Sequence, residues 1–254
     1  MATILSRLLA IRKSKNCGFL VLLDPDRRTP GALAKYAVQM ESAGADGFLI
    51  GSSLMITSSF ERAVRAVKKA VKVPLIIFPN GSGMLSSSAD AVLFMSLLSG
   101  RNPKLLIEEQ VKAAPLIKTL NLEPIATAYI LIESGNLTSV CYLSNTIPIP
   151  RDKPDIAKAH ALAAQYMGMK LVYLEAGSGA AKPVPPETVR EVAKYIDLPI
   201  IVGGGIKDPL YARKIAAAGA SFIVIGNVLE SDRSGGLAHS FAEAIHGNGM
   251  QKSR

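Results

Sequence analysis

Three apolar runs in the C-terminal half of the chain end in glycine-rich loops: Tyr173-Leu174-Glu175-Ala176-Gly177-Ser178-Gly179, Gly203-Gly204-Gly205 and Gly226-Asn227. Glycine at a strand end lets backbone N–H groups approach phosphate oxygens with no side chain in the way, and a helix N-terminus that follows adds a favourable dipole. One such loop alone reads as a tight turn; three of them imply a phosphate ester as ligand without choosing a reaction. A second chemistry sits near the N-terminus, where Leu23-Asp24-Pro25-Asp26-Arg27 follows one apolar run and Gly51-Ser52-Ser53 follows the next. Asp24 is a hard oxygen ligand suited to Mg2+ held against a diphosphate, with a serine hydroxyl near the same place. Asp26 fits better as the cap of the turn leading to Pro30. His160, His239 and His246 all fall on helical stretches away from these loops, so a catalytic histidine is not expected.

What must position these residues is an alternation of short β-branched runs with helical stretches along the whole chain, the pattern of parallel βα units. Strands are expected at 18–23, 47–50, 74–78, 91–95, 123–128, 171–175, 199–203 and 222–226. Helices are expected at 30–43, 58–71, 103–120, 155–167, 186–195, 209–218 and 237–246, several opening on the proline that suits a first turn. Residues 43–51 and 218–226 repeat one design, a helix end, a Gly turn, an apolar strand and a closing Gly. The expected architecture is a (β/α)8 barrel, a single domain over residues 1–254, with every chemical residue above at the C-terminal ends of strands, where barrels of this kind place their sites. The unit between the third and fourth strands is incomplete. Residues 79–90 are rich in Gly and Ser and read as loop, so the helix at that place is expected to be missing. The gap is either filled by the loop itself or left as an apolar groove on the barrel's flank.

A length of 254 residues suits one such barrel, and 49% apolar residues suffice for its core. No apolar run reaches the length of a membrane span. Residues 2–15 combine Arg7, Arg12 and Lys13 with Ile4, Leu5, Leu8 and Leu9, which reads as a basic amphipathic helix rather than a secretion signal, one that covers the barrel floor or, as the lesser alternative, touches a membrane surface. Cys17 and Cys141 provide no disulfide framework, and a cytoplasmic protein is expected. The net charge of +9 favours anionic ligands; without any nucleic-acid motif, these are expected to be small phosphorylated molecules.

Leu-Asp-Pro-Asp, Gly-Ser-Ser, Tyr-Leu-Glu-Ala-Gly-Ser-Gly, Gly-Gly-Gly-Ile-Lys-Asp and Ile-Gly-Asn occur in the order found in geranylgeranylglyceryl phosphate synthases, and between Asp24 and Asn227 the chain resembles that family of PcrB-like barrels. The resemblance implies Mg2+ at Asp24 and Ser53. It also implies glycerol 1-phosphate at Tyr173, Leu174, Glu175, Ala176, Gly177, Ser178, Gly179, Gly204, Gly205, Gly226 and Asn227. Two departures stand out: Leu22 occupies a place where some relatives carry Lys, and Ser52 replaces the second Gly of a common Gly-Gly pair. The implied reaction is displacement of diphosphate from a long-chain prenyl diphosphate by the free terminal hydroxyl of glycerol 1-phosphate, in a homo-oligomeric enzyme. Glu175 then either accepts the hydroxyl proton or only orients the acceptor, and Tyr173 positions substrate or stabilises cationic character. The rival readings are a phosphate-binding isomerase, lyase or cyclase barrel of amino-acid biosynthesis and a non-catalytic phosphate-binding barrel.

Overall fold

The computed structural model describes residues 2–57, 59–232 and 234–247; Ser58, where the second expected helix begins, lies outside the described residues, as do Met1, Arg233 and residues 248–254. Eight parallel strands close in sequence order: β1 (Gly18–Leu23), β2 (Gly47–Ile50), β3 (Leu75–Ile77), β4 (Ala91–Leu97), β5 (Glu123–Leu131), β6 (Leu171–Glu175), β7 (Ile200–Gly203) and β8 (Phe222–Ile225), with β8 pairing back onto β1. Strands buried on both faces need continuous apolar runs, which is what Phe19–Leu23, Phe48–Ile50 and Phe222–Ile225 supply.

The helices are α1 (Ile4–Lys15), α2 (Pro30–Ser42), α3 (Phe60–Ala70), α4 (Glu109–Thr119), α5 (Ser139–Ser144), α6 (Pro154–Tyr166), α7 (Pro186–Ala193), α8 (Pro209–Ala217) and α9 (Gly236–His246). Local chemistry starts several of them. Thr29 caps α2 through Ala32 N with Pro30 following, and Asp208 caps α8 through Leu210 N with Pro209 following. Asp26 is therefore not the cap of α2. Its carboxylate accepts hydrogen bonds from Ile56 N and Thr57 N at 2.7 and 3.0 Å and from the Thr57 hydroxyl, and so pins the β2–α3 loop instead.

Two apolar layers result. The barrel interior holds Leu20, Leu49, Leu93, Tyr129, Tyr173, Ile201, Phe222 and Val224, and a larger outer layer packs helices onto strands. Leu8 of α1 belongs to the interior layer, with Ile4, Leu5 and Ile11 packed against it, so α1 does cover the barrel floor. The Glu123 carboxylate at the start of β5 holds its first turn through Ile4 N and Leu5 N, at 2.5 and 3.0 Å.

The structure departs from the expected boundaries where it bears on the site. β4 and β5 run on to Leu97 and Leu131, carrying Tyr129 into the interior. A π-helical turn (Lys104–Glu108) precedes α4, the connection after β5 contains α5, and a 3-10 turn (Asn227–Ser231) follows β8. Residues 79–90 contain no helix, as their Gly and Ser content implies. The tip of this loop is tied to α4, since Ser82 N donates to Glu109 Oε2 at 2.7 Å.

Candidate active site

The carboxyl ends of β1, β2 and β6–β8 open into one cavity of about 480 Å3, within the range of small-molecule sites. At its mouth lie Asp24, Ser52, Ser53, Glu175, Ser178, Gly179, Gly204, Gly205, Gly226, Asn227 and Glu230. From there it continues over β3 and β4 onto the barrel's flank, where Phe78, Leu85, Val92, Phe94, Ala113 and Ile117 form an apolar wall. Strands run toward the mouth and helices run back. Val92, early in β4, and Ile117, late in α4, therefore lie well down the flank, a helical rise of about 10 Å below Gln110. With no helix over residues 79–90 the cavity continues as an apolar groove along β4 and α4. The loop fills part of the gap, with Met84 buried and Leu85 and Ala89 packed on the core, so each of the two readings holds in part. Ile56 is turned out to solvent, and neither it nor Met84 touches the cavity.

Glu175 ends β6 with 5% of its surface exposed. Its Oε1 accepts Gly177 N at 2.6 Å, and Tyr173 hydrogen-bonds to the same carboxyl. Burial pushes the group up to about 7, against the lowering effect of the hydrogen bonds from Gly177 N, the Tyr173 hydroxyl and Ala176 N. A carboxylate poised there can take or give a proton near neutrality. Burial, and next the charge of Glu175, drive the Tyr173 hydroxyl well above its ordinary value, which makes it a hydrogen-bond donor rather than an acid. Tyr173 stacks on Phe78 with ring centres 5.4 Å apart and meets Tyr129 edge-on at 5.3 Å. Phe78 and Tyr129 both line the cavity, and sequence reading missed them. The signal was present for Tyr129: Ile125, Thr127, Tyr129 and Leu131 keep one face of a strand continued past Ala128.

The glycine loops differ in what they can offer. Gly179, Gly204 and Gly205 have φ of 77°, 84° and 70°, conformations that side chains disfavour, and their N–H groups have no hydrogen-bond acceptor among the described residues. All three line the cavity, a set of backbone donors, unpaired among the described residues, that suits an anion. Asn227 Nδ2 donates to Ser178 Oγ at 3.3 Å, joining the β6 and β8 loops across it. Leu174, Ala176 and Gly177 do not line the cavity: Leu174 packs in the outer layer, Ala176 N donates to Gly203 O, and Gly177 N is spent on Glu175.

On the opposite side Asp24 directly follows β1, with its Oδ1 accepting Asp26 N at 3.0 Å. Its Oδ2 lies 3.5 Å from Ser52 Oγ and 3.3 Å from Arg27 Nε. Ser53 is exposed and lines the same mouth. Among the described residues no group of three or more His, Cys, Asp or Glu could hold a metal ion. One carboxylate with neighbouring hydroxyls is nonetheless a donor set that fits Mg2+, which keeps waters and takes substrate phosphate oxygens for its remaining positions.

The fold and site agree with what the chain is similar to. A family model, the PcrB family, matches residues 9–245. The geranylgeranylglyceryl phosphate synthase of Chitinophaga pinensis is 43% identical over 236 residues, 92% of this chain and 93% of that protein. That of Thermococcus gammatolerans is 46% identical over 211 residues, 83% of each. The crystal structure of (S)-3-O-geranylgeranylglyceryl phosphate synthase from Thermoplasma acidophilum in complex with sn-glycerol-1-phosphate superimposes with a TM-score of 0.90 at 38% identity, covering 97% of this chain and 99% of that one. With the match running through nearly the whole barrel, the chain belongs to the PcrB family.

Proposed function

We propose that this protein is a prenyltransferase that forms the ether bond of geranylgeranylglyceryl phosphate, joining sn-glycerol 1-phosphate to geranylgeranyl diphosphate and releasing diphosphate. The observation that carries this reading is the continuity of one cavity from a backbone cradle for phosphate, past Glu175 and Asp24, into an apolar groove. An isomerase or lyase acting on a small phosphorylated substrate has no use for that groove. The relatives named geranylgeranylglyceryl phosphate synthase, and the structural neighbour that binds sn-glycerol-1-phosphate, support the same substrates.

In this reading the acceptor's phosphate rests on the N–H groups of Gly179, Gly204 and Gly205 beside Ser178, Gly226 and Asn227, and its glycerol reaches toward Glu175. The prenyl tail follows Phe94, Ala113 and Ile117 down the flank. Asp24, with Ser53 or Ser52, would hold Mg2+, which would supply charge neutralisation to the departing diphosphate. Glu175 accepts the proton of the attacking hydroxyl at Oε2, since Oε1 is engaged by Gly177 N. Tyr173 donates its hydrogen bond to Glu175 and, with Phe78 and Tyr129, presents aromatic faces to the positive charge that develops on the allylic carbon. These rings also keep water from the cation. A homo-oligomer is part of the proposal; the exposure of Ile107 and Val111 beside and on α4, at 57% and 63%, is consistent with a contact there.

Incubation of the purified protein with Mg2+, geranylgeranyl diphosphate and each glycerol phosphate isomer tests this. Ether-linked product and diphosphate in equal amounts are expected with sn-glycerol 1-phosphate and at most traces with the 3-phosphate. Absence of product with both would refute the assignment.

A further inference from the structure

The two substrates bring two phosphate-bearing groups into one cavity whose wall carries four carboxylates, Asp24, Glu109, Glu175 and Glu230, and a single basic side chain among the described residues, Lys207 on the β7 loop. Lys207 stands on the acceptor side. The donor side needs its own cation, and one is held there. Arg27 follows Asp24 by three residues and turns back over it, with Nε 3.3 Å from Asp24 Oδ2. The other arm of its guanidinium, NH1, lies 3.0 Å from Glu230 Oε2 on the turn after β8. Arg27 is 51% exposed, against 22% and 27% for its two partners, so the guanidinium stands at the rim of the mouth with its second terminal nitrogen, Nη2, without a partner among the described residues. The next cation is committed elsewhere: Arg28 donates to Glu230 O at 2.9 Å and lies over the Tyr36 ring at 4.5 Å.

We propose that Arg27 is the residue that grips the diphosphate of the prenyl donor and of the product, with Glu230 holding the guanidinium in place for it. This rests on the reading of the site given above. A diphosphate bound against Asp24 lies within reach of a guanidinium already touching that carboxylate, and the two N–H groups of its Nη2 are left to meet phosphate oxygens. Arg27 then neutralises the repulsion that Asp24 and Glu230 would otherwise exert on the anion. Because the guanidinium is anchored before the ligand arrives, little side-chain freedom is lost on binding.

The test is calorimetry with inorganic diphosphate and Mg2+, beside a separate titration with sn-glycerol 1-phosphate. Arg27→Ala is expected to weaken diphosphate binding about 10- to 100-fold, the range for charged hydrogen bonds, and to leave glycerol phosphate binding within about twofold. Arg27→Lys should recover part of the loss. Arg28→Ala removes the same charge one residue on and should change diphosphate binding at most about twofold, which separates direct contact from general electrostatics. Melting curves of each variant show whether the fold is kept, and the rim position of Arg27 predicts that it is. Wild-type-like diphosphate binding by Arg27→Ala, or equal losses in Arg27→Ala and Arg28→Ala, would overturn the role of Arg27 while leaving the proposed reaction standing. No binding of Mg2+ and diphosphate by the wild type would overturn both.

Discussion

The proposed division of work between two carboxylates rests on their different surroundings. Asp24 sits at the open rim with hydroxyls and a guanidinium around it, whereas Glu175 is buried with its pKa raised to about 7. Asp24→Asn should therefore abolish turnover and leave sn-glycerol 1-phosphate affinity within a few-fold; calorimetry showing both lost together would contradict the division. Glu175 works as a base only when ionised, so kcat/KM should rise with pH through about 7 and then level. Glu175→Gln should lower kcat by about 10²–10⁴-fold and remove that rise. A variant with near-normal kcat but poor acceptor affinity would make Glu175 an orienting group. At this scale the sequence was legible for strand-end residues, because a carboxylate or glycine after an apolar run announces its place. It was silent on which glycine N–H groups remain available. Gly204 shows the limit: with φ of 84°, a side chain there would collide with Glu175 Oε1 and Gly177 N, so Gly204→Val disrupts the base as well as the cradle.

At the scale of elements, the missing helix between β3 and β4 was legible because Gly and Ser in 79–90 cannot sustain one. The groove wall was not, since α4 and β4 meet only in three dimensions. Gly83 and Ser87 of that loop do not line the groove; Ala113 of α4 does. Ala113→Phe should penalise a C20 donor over a C10 donor by on the order of 10³-fold if one isoprene unit is displaced, at roughly 0.8 kcal/mol per buried carbon. The KM for glycerol phosphate should not move, and equal losses for both donors would place the tail elsewhere. The opposite end of the barrel holds a second element-level device that no motif revealed. Buried Asp46, ahead of β2, accepts hydrogen bonds from Lys15 Nζ at 2.5 Å, His246 Nε2 at 2.7 Å and Phe19 N at 2.8 Å, fastening α1 and α9 to β1. Burial would raise its pKa, but the hydrogen bonds from His246, Lys15 and Phe19 outweigh it and leave the carboxyl below its usual range. The stabilisation is thus present above the unfolded value near about 4 and is lost as pH falls through the lower folded value. Asp46→Ala should cost about 3 kcal/mol in chemical denaturation at neutral pH without lowering kcat of the folded protein. A loss under about 1 kcal/mol would show that α1 and α9 hold by packing alone.

For the whole molecule, the closed barrel explains why a glycine-lined mouth and an apolar groove share one cavity. Side chains fill a barrel interior of this size, so a long chain has to leave the mouth sideways. Parallel strands in sequence order were readable from the alternation of short apolar runs and helices. The aromatic group Phe78, Tyr129 and Tyr173 was not, because three separate strands bring it together. Among the described residues no helix is long and apolar enough to cross a membrane. The most direct test is a crystal structure with sn-glycerol 1-phosphate and an unreactive thio-analogue of geranylgeranyl diphosphate bound together. The account predicts the acceptor's phosphate on the Gly179, Gly204 and Gly205 N–H groups, its free hydroxyl within hydrogen-bonding distance of Glu175, and the tail along Phe94, Ala113 and Ile117. A tail lying elsewhere than this flank, or a phosphate away from the glycine loops, would contradict it.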